Sequence, residues 1–459
     1  MIELALAANV IFFAGVVLFL YWRGYINFYS GLFVYLAFHF IAFVQRPIVV
    51  HAFDLRAEFI YLTYMPTEEV FLQALLAANL GLLSFVFGYL FVLGFRPMAV
   101  RFQSVTITEA DKKALLTTFL LLLPLILYSL YLVLTTKYYH DIGLFEGMHD
   151  LSIRLDAETG ATVFVESSAY IVYGRDLALP FASVFIIINR IRWWSFIPLA
   201  FCALMALQVG ARWETVISSF VAVTIVLYYK RYSLPRLRHA VTLVAILFLF
   251  ILMGQNRSLI YEVLLGEFSN VTFDVGTSAL GDHPDFANFE WLTYVIGKVP
   301  DISRSYTYFT QYLGLFTQPI PRVLWPDKPI GSPVMWVNLQ AYGRFVGRTT
   351  TLVGDGWMSL GYIGVMVTLS AAGAGYGWMY KRFCSANISI YMFCGYFWMV
   401  GLLIQWARDG GTRIVEFAFF CVAPLVLAYV VKQLLWQVRE PRRRLVDPLR
   451  DRKLPLRYD

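Results

Sequence analysis

Charge is what this sequence has least of. Only 15% of its 459 residues are Asp, Glu, Lys or Arg, where a soluble globular chain carries about a quarter. The deficit runs the whole length of the chain, which excludes one soluble domain on a membrane anchor. Cysteine is scarce as well: Cys202, Cys394 and Cys421 lie in apolar runs and Cys384 in a short basic connector. A disulfide framework outside the membrane is therefore not expected. C-x-x-C and paired-histidine spacings are missing, which argues against a zinc site. The six histidines, His39, His51, His140, His149, His239 and His283, read as structural or solvated, with His51, His140, His149 and His283 as candidate proton acceptors. No P-loop, G-x-G-x-x-G or G-x-S-x-G stands where chemistry would need it. A cytoplasmic nucleotide-driven reaction has no soluble domain to host it, and no nucleic-acid partner is expected. The start, Met1-Ile2-Glu3-Leu4, lacks the basic region of a secretory signal, so the first apolar run reads as a retained span.

What is present is apolar: 59% of the residues are hydrophobic. A membrane span needs roughly 20 mostly apolar residues. About eleven runs qualify, at 2–22, 29–50, 69–94, 113–136, 164–188, 193–209, 213–229, 239–254, 352–379, 386–407 and 412–433. Continuous runs exclude an outer-membrane barrel, whose strands alternate. The expected fold is thus all-α, a single polytopic membrane domain over 1–459. Every second connector is basic: Arg23; Arg96, Arg101, Lys112 and Lys113; Arg190 and Arg192; Lys230, Arg231, Arg236 and Arg238; Lys381 and Arg382. The tail from Lys432 follows the same side, and together they hold 22 of the 37 basic residues against six acidic ones. The positive-inside rule then gives an N-out, C-in chain. Its basic tail, 434–459, reads as topogenic and solvated, with anionic-lipid binding as the other use.

Two long connectors fall on the outer side, 137–163 and 255–351. The second is crowded with Trp291, Tyr294, Tyr306, Tyr308, Phe309, Tyr312, Phe316, Trp325 and Trp336, a composition suited to headgroup level. Ionisable residues also collect near outer span ends, where they are expensive and default to function. They are Arg46, Arg175-Asp176, Arg212 and Glu214, Arg257, Asp355, and Arg408, Asp409, Arg413 and Glu416. Arginine dominates, and its planar fork binds phosphate and carboxylate bidentately. An outward, arginine-rich, lipid-level cleft suits a lipid-linked phosphate or diphosphate. The competing reading is helix-locking ion pairs, for instance Arg175 with a carboxylate of a neighbouring helix.

Four short motifs resemble those of the Wzy-type oligosaccharide repeat-unit polymerases, which include the O-antigen and enterobacterial common antigen polymerases. Gly210-Ala211-Arg212 is similar to the family's G-[ST]-R at an outer turn. Ile320-Pro321-Arg322-Val323-Leu324-Trp325-Pro326-Asp327-Lys328-Pro329 is similar to its I-P-R-x-L-W-P-x-K-P and is the most specific of the four. Gly354-Asp355-Gly356-Trp357 with Leu360-Gly361-Tyr362-Ile363-Gly364 resembles the start of a late family helix. Ala407-Arg408-Asp409-Gly410 resembles its A-R-[ED]-G. The chain departs from the family in two places. Asp stands for the commoner Glu at 355, and the arginine-x10-glycine motif of some O-antigen polymerases is absent from the large loop.

The resemblance implies a metal-independent, cofactor-free glycosyltransferase of the bacterial inner membrane with its active site facing the periplasm. It would transfer a growing glycan from undecaprenyl diphosphate to the hydroxyl of a new lipid-linked repeat unit. A flippase and a chain-length regulator would be its partners in the bilayer. In that scheme Arg212, Arg408 and Arg413 stabilise the leaving diphosphate. Arg257, Arg322 and Lys328 clamp it from the loop, and Asp355, then Asp409, accepts the hydroxyl proton. Arg46, Arg175, Trp325 and Trp357 complete the substrate-binding set. The rivals are an O-antigen ligase, which differs in its acceptor, and a lipid-linked glycan transporter or flippase. A transporter would show inverted repeats and midplane charges, and neither is seen in the sequence.

Overall fold

The computed structural model describes residues 1–100, 102, 105–135, 153–155, 162–164, 173–208, 212–232, 286–317, 320, 325, 337–345, 348–385, 388–411 and 413–435. The expected span 239–254 and residues 436–459 of the tail lie outside these. Among the described residues the long elements are helical: α1 (Ile2–Trp22), α2 (Gly31–Ala52), α3 (Glu68–Leu93), α4 (Glu109–Thr135), α5 (Ala178–Ile188), α6 (Ile197–Gln208), α7 (Arg212–Tyr229), α8 (Asn288–Lys298), α9 (Thr351–Phe383), α10 (Ile390–Asp409), α11 (Arg413–Cys421) and α12 (Ala423–Leu435). One three-residue antiparallel pair, Ile153–Leu155 with Thr162–Phe164, interrupts the helical pattern.

Six of these helices, α1, α2, α3, α4, α9 and α10, are long and apolar enough to cross a membrane. Their outward side chains are apolar: Leu4, Ile11, Leu18, Phe87, Phe91, Leu120 and Leu121 are all exposed. So much exposed apolar surface is tolerated where lipid, not water, is the solvent. Shorter apolar helices occupy part of the expected spans at 193–209, 213–229 and 412–433. The last of these is not continuous, because α11 and α12 are separated at Val422.

The chain divides into two compact units. One comprises Met1–Val100, Gly276–Cys384 and Val400–Phe417; the other comprises Arg101–Val275, Ser385–Met399 and Ala418–Asp459. In the first, α9 lies along α3 on a seam of small residues. A methyl group on Gly88 would strike the Ser370 carbonyl, and one on Gly373 would strike that of Phe85. Backbone contact this close maximises van der Waals packing where no hydrophobic drive separates helix from lipid. In the second unit, Ile126, Leu177 and Phe420 form a small apolar core. In the same unit Asp111 forms an ion pair with Lys432 at 2.7 Å.

Two irregularities position the site residues of the first unit. A π-helical turn, Phe40–Gln45, precedes Arg46 within α2, and the amide of Asn9 donates to the Phe43 carbonyl at 2.8 Å. The second is a break in α9. Leu360 is extended (φ −167°, ψ 43°) and Gly361 is left-handed (φ 57°, ψ −138°), a conformation open essentially to glycine alone. The expected continuous span 352–379 is therefore two arms, 351–359 and 362–383. A methyl group on Gly364 would meet the Gly356 carbonyl, so the arms fold back on one another at these glycines. Helix ends inside an apolar medium need partners, and the loop supplies them. The amides of Thr307 and Tyr308 donate to the carbonyls of Met358 and Ser359 at 2.8 and 3.0 Å. Gln311 Nε2 donates to Ser359 Oγ at 2.6 Å.

Candidate functional site

The first unit gathers charged groups around Trp291. Glu58 and Tyr61 lie one helical turn apart on the short helix Ala57–Tyr61. Glu58 Oε1 accepts the Trp291 indole N–H at 2.9 Å. Arg348 grips the same carboxylate with both arms of its fork, Nε on Oε1 and Nη2 on Oε2, the latter at 3.0 Å. The Arg348 guanidinium carbon also sits 4.1 Å from the Tyr61 ring centroid, and that of Arg344 sits 4.8 Å from it. The Arg408 guanidinium lies 5.8 Å from the Trp291 ring and 3.8 Å from the Asp409 carboxylate.

One residue before Trp291, Glu290 receives Arg46, with Nε on Oε1 at 2.8 Å. Both side chains are buried. Burial holds the Glu290 carboxyl above the usual carboxylate range, with Arg46 pulling the other way. Nearby, Lys298 Nζ stands 4.9 Å over Tyr64 and 5.5 Å over Tyr294. Burial lowers the Lys298 ammonium and pushes both tyrosines up to about 12.

Asp355, on the short arm of α9, is fully buried. Its carboxylate accepts from the Thr350 hydroxyl and from the amide of Gly411. Gly410 and Gly411 are both left-handed (φ 69° and 59°), and a methyl group on Gly410 would fall 2.6 Å from Asp355 Oδ2. The turn after α10 is thus moulded onto Asp355. The carbonyl of Arg408 accepts the Thr349 hydroxyl at 3.0 Å, and Gln405 donates to Asp409 Oδ2. Trp357 is spent differently: its indole N–H donates to the Val299 carbonyl at 2.7 Å, and the ring is buried.

Of the residues singled out from the sequence, Arg46, Asp355, Trp357, Arg408 and Asp409 belong to this unit and engage the network above. Arg46 is committed to Glu290. Trp325 is more than one-third exposed. Arg413 begins α11 and Arg212 begins α7. Arg257, Arg322 and Lys328 lie outside the described residues.

In the other unit Arg175 and Asp176 occupy a 3-10 turn ahead of α5 and are buried. Arg175 lies 3.6 Å from Asp176 Oδ1 and 3.9 Å from Glu214 Oε1 of α7, which is the helix-locking reading of this arginine. Among the described residues no group of three or more metal-ligating side chains converges.

Sequence reasoning placed Trp291 among the loop aromatics but missed Glu58, Glu290, Arg344 and Arg348. All lie in extramembrane connectors, where charge is ordinarily solvated and carries no signal of cost. Glu290 stands in the first turn of α8, whose residues Asn288–Ile296 are all buried, a burial that only the tertiary structure reveals.

No protein-family model, curated protein or solved structure matches this chain. Its helices and their lipid-suited surfaces define a helical membrane protein.

Proposed function

We propose that this chain is a polymerase of lipid-linked glycans, of the Wzy type its motifs resemble, acting at the outer face of a bacterial inner membrane. The observation that carries the reading is the assembly of Arg344, Arg348 and Arg408 around Tyr61 and Trp291, with carboxylates interleaved. A diphosphate leaving group needs fixed cations aimed at developing charge, and aromatic rings suit sugar faces.

In this reading Arg408 stabilises the departing diphosphate, Arg212 enters on its sequence motif and Arg413 on its place near an outer span end. Asp355 takes a different role from the one its motif implied. Its carboxylate is enclosed and engaged by Thr350 and Gly411, so it holds the turn that carries Arg408 and Asp409. Asp409, less enclosed, is then the acceptor of the hydroxyl proton. The acceptor oxygen bonds to the anomeric carbon as the diphosphate leaves with the bonding electrons, inverting that centre as a single displacement does. Product size separates this from ligation: a ladder of repeat units marks a polymerase, and one transfer onto a lipid core marks a ligase.

A second reading has one observation in its favour. Discontinuous helices line substrate sites in many transporters, and α9 is broken at Leu360–Gly361. Movement of labelled lipid-linked glycan across liposomes without glycosidic bond formation would establish transport instead.

A further inference from the structure

The charged cluster of the first unit pairs off almost completely. Arg46 goes to Glu290, Arg348 to Glu58 and Arg408 to Asp409. Arg344 is different. It is exposed, and among the described residues no carboxylate lies within ion-pair distance of it. It shares the Tyr61 ring with Arg348, so two guanidinium groups stand beside one phenol, and the Glu58 carboxylate is bound to Arg348. That leaves Arg344 as the cation of the pair with no carboxylate of its own among the described residues, open to an anion from outside the chain.

The backbone does not let Arg344 move away. Its amide donates to the Leu62 carbonyl at 3.3 Å. Gly343 is wedged where any Cβ would come within 2.7 Å of that carbonyl and of the Tyr294 hydroxyl. Phe345 is buried and stacks on Tyr294 at 4.9 Å, whose hydroxyl donates to the Leu339 carbonyl. With its backbone held on both sides and no hydrogen bond from its fork to any described residue, Arg344 presents a guanidinium suited to an oxyanion.

We propose that Arg344, with Arg348 and Tyr61, forms an oxyanion subsite for the substrate. The identity of that substrate rests on the polymerase reading above. Two groups on a lipid-linked glycan share the required chemistry, the diphosphate and the carboxylate of an acidic sugar. Arg344 binds the oxyanion directly through its N–H groups. Arg348 is neutralised by Glu58 and packs on the same Tyr61 ring, so the net positive charge of the subsite is that of Arg344.

The test is equilibrium binding to the purified full-length chain in nanodiscs, with two probes: farnesyl diphosphate, and a neutral-lipid-free oligosaccharide ending in glucuronate. Arg344→Ala and Arg344→Lys are compared with the wild type and with Arg23→Ala, an exposed arginine beyond α1. A loss of tenfold or more for farnesyl diphosphate in Arg344→Ala, a smaller loss in Arg344→Lys and none in Arg23→Ala would establish the subsite as a diphosphate site. The same pattern for the glucuronate probe alone would establish it as a sugar-carboxylate site. Wild-type protein that binds neither probe, or Arg344 variants that bind as the wild type does, would overturn the proposal. Should Arg344→Ala fail to fold, Arg344→Lys keeps the comparison. Binding needs no glycosidic bond to form, so a failed polymerisation assay leaves this result standing, and a failed binding test removes Arg344 from the assembly while the repeat-unit ladder still decides the polymerase reading.

Discussion

The carboxylate of Asp355 accepts a hydrogen bond from the backbone amide of Gly411. One residue near the start of α9 thereby fixes the turn that ends α10, and with it the approach of Arg408 to Trp291. Asp355→Ala leaves that amide buried without a partner and is expected to cost about 1–3 kcal/mol of stability. Asp355→Glu, which keeps the charge but lengthens the arm, is expected to fold and to lower kcat with little change in KM. A general base at 355 would instead give a pH–rate profile whose acid limb moves in Asp355→Glu. An unmoved limb supports the positioning role.

Arg46 and Glu290 make a second pair whose removal has a signed prediction. Arg46→Ala leaves Glu290 buried alone, at an expected cost of about 3–5 kcal/mol. The double variant Arg46→Met/Glu290→Met removes both charges and is expected to recover most of that loss. Thermal unfolding in detergent measures both.

Glu290 also predicts a pH dependence. Its folded pKa is raised by burial, so at pH between the unfolded and folded values the folded state holds a proton that the unfolded chain has released. Stability from this group is therefore full below the ordinary glutamate value and falls as pH rises through the window up to the folded value. Glu290→Gln is expected to flatten that part of the Tm–pH curve. An unchanged curve would assign the dependence elsewhere.

The break in α9 makes a contrast among glycines. Gly361→Ala forces a side chain into a glycine-only conformation, at about 1–3 kcal/mol, and Gly364→Ala drives a methyl group into the Gly356 carbonyl. Both are expected to reduce folded yield. Gly375→Ala, with nothing within 4 Å of its Cβ position, is expected to be neutral.

The spans at 2–22, 29–50 and 69–94 were legible because a lipid-facing helix needs little beyond length and apolarity, and α1, α2 and α3 follow them closely. The broken α9 was not legible. Hydropathy averages over a window, and the break depends on a glycine torsion and on Thr307, Tyr308 and Gln311, more than forty residues away in sequence. Gly361 is the hinge itself, and Gly364 packs closely against Gly356. Within the site, Arg46, Asp355, Arg408 and Asp409 stood out because charge near a span is conspicuous. Glu58, Arg344 and Arg348 did not, because a charged loop residue looks solvated until tertiary structure gives it a partner.

Arg212→Ala and Arg408→Ala are each expected to lower polymerisation about 100- to 1000-fold, the usual effect of deleting one group that stabilises developing negative charge. Expression and Tm are expected to remain near those of the parent. A variant that still makes full-length polymer would remove that arginine from the catalytic set.

The central claim is bond formation between lipid-linked repeat units, and one assay reaches it directly. Purified protein in lipid is incubated with defined lipid-diphosphate repeat units and EDTA, and the products are read by gel and mass spectrometry. The account predicts a ladder spaced by one repeat unit, lost in Arg408→Ala. Folded protein that yields no ladder across several repeat units of suitable chemistry, or only movement of intact substrate across the bilayer, would contradict it.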